Sequence, residues 1–252
     1  MKTKQFKIRL PTSWDELNDK QLLLVYDLLA RDLSAAEVKT LCLVKWNRIK
    51  VLGQLPDKRF LIARGREPEM ALTSRQIQQA TSELDFIDNL PPMPVRITRI
   101  GRHKAVAADF EKVPFEQFLY VDNLFQGYLY TQEDELLLQM AQVLYNSDNV
   151  KPTKAHLIGV FYWMASLKMY FAQMFPNFYK PATDSENAGS LGDERASLFK
   201  KLRDGTNSMI RALTGGDITK EKVIGQMDTW RALTELDAKA REAEEFRKAA
   251  RK

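Results

Sequence analysis

Few side chains in this sequence are spaced as catalysis or metal binding would need them. There are two histidines, His103 and His156, and one cysteine, Cys42. Two separated histidines without cysteine support make no zinc pattern. A lone cysteine forbids an internal disulfide and a cysteine metal site. Cys42 also lies in an apolar run with Leu41, Leu43 and Val44, where a thiol serves as a small core residue. Carboxylates cluster at Asp15/Glu16, Asp85/Asp88 and Glu133/Asp134/Glu135, at helix starts or on polar faces where capping and solvation account for them. Acid–base chemistry needs a carboxyl group in an apolar pocket, and the pattern marks none. Gly101 lacks the companion glycines of a phosphate loop, and GSLG at 189–192 lacks the spacing of a nucleophile elbow. The sequence therefore reads as a non-enzyme with no catalytic residue, no cofactor and no metal.

Two groups of residues could instead meet a partner. Arg96, Arg99, Arg102, His103 and Lys104 form the densest basic cluster, suited to an anion or nucleic-acid contact. A solvated loop after a strand explains the same charges. Trp230, Leu233, Leu236 and Phe246 lie along a C-terminal segment otherwise thin in apolar residues. Aromatic residues are enriched at interface hot spots, so these four are the candidate protein-binding residues, with Trp230 leading. Packing of Trp230 back onto the body is the competing account.

The elements that must carry these residues are mostly helical. The apolar run at 154–175, KAHLIGVFYWMASLKMYFAQMF, is introduced by Pro152 and Thr153 and stopped by Pro176. Lys168 inside it costs about 2.5–3.5 kcal/mol on membrane-insertion scales. With Gly159, Ser166 and Gln173 on one seam, the run reads as a buried central helix, with no membrane role. Lys168 must then reach the surface or pair with an acid such as Glu116 or Asp122. Upstream, residues 4–10 alternate as a strand. Ser13 and Glu16 read as a capping box opening a helix that runs to about Arg31. Ser34 caps a second helix to Trp46. Residues 49–63 read as a β-hairpin turning at Pro56 and Asp57, closed off by Gly65 and Pro68. Thr73 or Ser74 starts a helix to about Leu84, and Leu90-Pro-Pro-Met-Pro94 breaks the chain. Residues 95–100 alternate as a strand that pairs with the hairpin or with the N-terminal strand. From Pro114, placed at a first helical position, the pattern is helical. Thr131 caps a helix at 132–145, and another ends at Gly215 and Gly216.

The expected fold class is mainly α (α+β): a helical body around a buried central helix, with a small N-terminal strand and hairpin region. The expected divisions are a mixed region at 1–104, a helical body at 105–180, a polar linker at 181–193 and a helical arm at 194–252. The first 104 residues hold 19 Lys/Arg against 12 Asp/Glu, although the whole chain is only +5. The basic half could therefore face an acidic partner or nucleic acid. No apolar signal segment opens the chain, so the expected compartment is the cytoplasm.

LPTSWDEL (10–17), IGRH (100–103), FYWMASLK (161–168) and DTWRALTEL (228–236) resemble a family encoded in phages and prophages of Bacteroides-type bacteria, among tail-morphogenesis genes. The opening Trp14-x-Glu16-Leu17 followed by a Leu-rich helix is similar to phage tail assembly chaperones. The resemblance implies a host-cell protein that binds a phage tail protein, such as a tape-measure chain, or itself. It brings no catalytic residues. A structural virion component of the neck or tail, or a basic nucleic-acid-binding regulator, remain the alternatives.

Overall fold

Three helices of the N-terminal part open on side chains that accept otherwise orphaned N–H groups. The computed structural model describes residues 8–180 and 194–250. Asn18 and Gln21 cap α1 (Asp19–Leu29) reciprocally, Ser34 and Glu37 cap α2 (Ala35–Trp46), and Thr73 and Gln76 cap α3 (Ser74–Thr81). Ser13 and Glu16 do not open α1. A single 3-10 turn at Trp14–Glu16 ends on extended Leu17, and the helix starts anew after Asn18. The reason is Trp14, whose buried indole N–H donates to the carbonyls of Phe86 and Asn89 at 3.0 and 3.1 Å.

Two compact units result: Met1–Pro91 with Thr153–Gly159, and Pro92–Pro152 with Val160–Lys252. The boundary thus falls in the proline-rich break rather than at residue 104. The C-terminal helix belongs to the second unit rather than to a separate arm. The polar linker expected at 181–193 lies outside the described residues, as do positions 4–7 of the expected first strand. Residues 8–10 carry no strand.

In the first unit, α1 and α2 form a helical hairpin. The expected β-hairpin is β1 (Lys50–Gln54) with antiparallel β2 (Phe60–Ala63). A third strand that the turn residues Gly65 and Pro68 concealed, β3 (Met70–Leu72), extends the order to β1-β2-β3. After α3 the chain tightens into a 3-10 stretch, Ser82–Asp88, that buries Leu84 and Ile87.

Among the described residues, the regular structure of the second unit is helical apart from β4 (Arg99–Ile100) and β5 (His103–Lys104), which pair with each other. Residues 95–100 therefore neither form one strand nor join the first sheet. The turn between β4 and β5 uses Gly101 at φ +59°, a left-handed conformation that glycine adopts without strain. Pro114 sits one position before α4 (Phe115–Thr131). Gln132, at φ +57°, ends α4, so Thr131 closes that helix instead of capping α5 (Asp134–Leu144). Among the described residues no helix is long and apolar enough to cross a membrane.

α6 (Lys154–Met174) buries Val160, Trp163, Met164, Leu167 and Phe171 in the second unit and leaves Met169 and Met174 exposed. Its Lys168 pairs with Asp122 on α4, 2.7 Å apart, and lies 5.1 Å from the Tyr179 ring centroid. Burial, and then the Asp122 charge, push the Tyr179 phenol far above its ordinary range, so it stays neutral beside the pair. α7 (Glu194–Thr214) stops at Gly215 and Gly216, both at positive φ. A short α8 (Glu221–Gly225) and the long α9 (Thr229–Ala250) complete the unit.

The ion pair is lopsided: the Lys168 side chain is 23% exposed and that of Asp122 11%. Lysine can reach water when its partner is lost, and the aspartate cannot. Lys168→Met should therefore cost about 2 kcal/mol and Asp122→Asn distinctly less in chemical denaturation. A second test concerns pH. Burial depresses the pKa of His156, whose Nδ1 accepts the Thr153 N–H at 3.1 Å. The unfolded chain then binds the proton more readily, so the contribution of neutral His156 is present above its ordinary pKa and fades as pH falls through and below that value. The melting temperature of His156→Gln should drop less than that of the parent between pH 7.5 and about 5.5, near the ordinary histidine pKa.

Candidate functional site

The C-terminal residues expected to meet a partner are built largely into the second unit. Trp230 donates its indole N–H to the Asp109 carbonyl at 2.8 Å. Its ring packs against Tyr170, Phe171 and Phe175 with centroids 5.4–5.8 Å apart. Leu233 and Leu236 are buried, and Phe246 is 76% exposed. The start of α9 is stitched to the chain ahead of α4: the Thr229 N–H and hydroxyl both donate to the Val113 carbonyl, and the Phe115 N–H donates to that of Met227. Further along, Asp237 accepts from the N–H groups of Asn177 and Phe178 and from the Asn177 amide. Burial works to raise its pKa, but these donors outweigh it and hold the carboxyl below its ordinary value. Of the four candidates, the structure gives Phe246 alone to solvent.

The basic cluster is divided. Arg96 turns inward and donates from Nε to the Val106 carbonyl at 2.5 Å. Arg99, Arg102 and Lys104 are exposed on the β4–β5 hairpin, with His103 half-buried, and Arg99 lies directly across from Lys104. Opposed like charges weaken the hairpin and favour an anion between them. One of the carboxylate pairs is engaged in an ion pair. Asp85 and Asp88 both grip Lys39, at 2.6 and 2.7 Å. Cys42 is buried, and burial pushes its thiol up to about 12, so it is no nucleophile at neutral pH. Among the described residues no group of histidine, cysteine and carboxylate side chains could hold a metal ion.

What sequence reading missed lies in the first unit. The three-stranded sheet turns Val51, Phe60, Ile62 and Leu72 toward α2 and α3, and the space between is a cleft of about 460 Å3. Leu43, Ile49 and Ile62 form its buried floor; Ala36, Val51, Ser74 and Gln78, all exposed, lie on its rim. None of its lining side chains ionises. Thr40 and Thr81 satisfy their hydroxyls on the carbonyls of Ala36 and Gln78 within their own helices, so the wall facing the space is essentially apolar. The β1 edge beside it is open: all five residues of β1 are exposed, with Val51 at 57% and Leu52 at 49%. A signal for this was present. Val51 and Leu52 are apolar at both successive positions, where a half-buried hairpin strand should alternate.

No family model, curated protein or solved structure matches this chain.

The aromatic seat of Trp230 predicts a contrast within one helix. Trp230→Ala should destabilise the protein by about 3 kcal/mol through the cavity it leaves. Phe246→Ser should stay within about 0.5 kcal/mol of the parent. Urea unfolding of the two variants checks both.

Proposed function

We propose that this protein is a non-enzymatic protein-binding factor, a tail-assembly chaperone-like partner of a phage tail protein acting in the host cytoplasm. The observation that supports it most is the open apolar cleft between β1, α2 and α3. An apolar wall of this size without an ionisable group has nothing with which to move protons or hold phosphate. It suits apolar side chains of a polypeptide. The resemblance of the Trp14, Trp163 and Trp230 motifs to a tail-region family supplies the class of client: a long chain, such as a tape-measure protein, with apolar segments to shield before assembly. The cleft gives that role a place other than the C-terminal helix.

The exposed face of Arg99, Arg102 and Lys104 supports nucleic-acid binding as a second reading. Such binding would weaken steeply as salt rises.

Co-expression of the tagged protein with the tail proteins encoded beside it is the test. A soluble complex with one tail component should form, and Val51→Glu at the cleft rim should abolish it with an unchanged melting temperature. Mass spectrometry of purified particles should find the protein absent. A complex indifferent to Val51→Glu overturns the cleft reading, and stoichiometric presence in mature particles makes the protein a virion component.

A further inference from the structure

We propose that β1 is a docking edge that takes an extended client segment as a fourth strand, and that the segment carries acidic residues flanking an apolar stretch. The inference rests on the protein-binding reading and adds its mode and its specificity. β1 ends the strand order, so its outer N–H and C=O groups face away from β2. Such an edge is a template for strand addition, in which backbone bonds supply affinity and alternate side chains supply selectivity. Val51 belongs both to this edge and to the cleft rim. Side chains alternate along a strand, so every second residue of an added strand would lie on the cleft side with Val51.

Charge identifies the segment. From Lys45 to Arg75 the sequence holds eight Lys/Arg against three Asp/Glu. Asp57 is taken by Arg59 and Glu67 by Arg64. Among the described residues, Lys45, Arg48, Lys50, Lys58, Arg66 and Arg75 have no carboxylate within ion-pair distance. Lys50 begins β1 and Lys58 stands in the turn beyond its end, so positive charge brackets the exposed strand. A second copy docked edge to edge would set these lysines against like charges. The bulge between Val51 and Gly53 also twists the edge away from flat self-pairing. The same features that repel a second copy select an acidic strand.

The test uses the full chain and a fluorescent synthetic peptide of alternating valine and threonine flanked by aspartates. Anisotropy should show saturable binding, weaker by about tenfold or more for a lysine-flanked version. The double variant Lys50→Glu/Lys58→Glu, both sites exposed, should reverse that preference without changing the melting temperature. N-methylation of alternate peptide amides on one edge should abolish binding, and on the other edge should leave it intact. Binding indifferent to N-methylation of either edge overturns strand addition. So does a tail-protein complex that Val51→Glu breaks but charge reversal at Lys50 and Lys58 leaves unaltered. In both cases the cleft reading stands, whereas a complex indifferent to Val51→Glu removes that reading itself. A sedimenting dimer that Lys50→Glu dissolves, or single-stranded DNA displacing the peptide at these lysines, also overturns the proposal.

Discussion

The second unit depends on satisfying the backbone of residues 92–114, a segment with almost no regular structure that sends several side chains into its core. Ile97, Ile100, Ala105, Phe110 and Val113 are buried there, yet the only ladder is the two-residue β4–β5 pair. A buried backbone must find hydrogen-bond partners, and this one finds them on the surrounding helices. The Tyr145 hydroxyl donates to the Ile97 carbonyl, the Trp163 indole to Ala108, the Trp230 indole to Asp109 and the Thr229 hydroxyl to Val113. The Val106 N–H in turn donates to the Leu144 carbonyl. Three helices are thereby tied to one irregular strap.

This accounts for much of the aromatic content. Tyrosine and tryptophan place a large apolar body in a core and still present one donor at the tip. Here the bodies fill the core around Phe110, Phe118 and Phe171, and the tips close the strap. The tryptophan that most invited a partner-binding reading is committed to this work. In the first unit Trp14 does the same for the carbonyls at the end of the 3-10 stretch.

The two units treat exposed apolar surface differently. In the second, helix packs on helix, and exposed apolar side chains such as Tyr120, Leu129 and Phe246 are spread along helix surfaces. In the first, a small sheet stands off from α2 and α3 and leaves a cleft whose mouth adjoins an open strand edge. Sheets of three strands bury little of their own surface, so such an edge is either blunted or used. Lys50 and the bulge blunt it toward a second copy, while the neighbouring unpaired basic residues make it attractive to an acidic strand.

The mainly helical class, the caps at Ser34 and Thr73, the hairpin turning at Pro56 and Asp57, and the buried helix carrying Lys168 were all legible in the sequence. Each is written locally, as a hydrophobic period, a capping pair or a turn residue, and Lys168 in an apolar run had either to reach the surface or to meet an acid. The choice of Asp122 over Glu116 was not legible, because it depends on which face of α4 meets α6. The same holds for the burial of Leu233 and Leu236, since a thin apolar stripe shows that a helix has an inner face without showing what covers it. The third strand, the strap at 92–114 and the cleft lay beyond any local pattern. They exist through pairings and donors distant in sequence, and a space between elements has no residues of its own to be read.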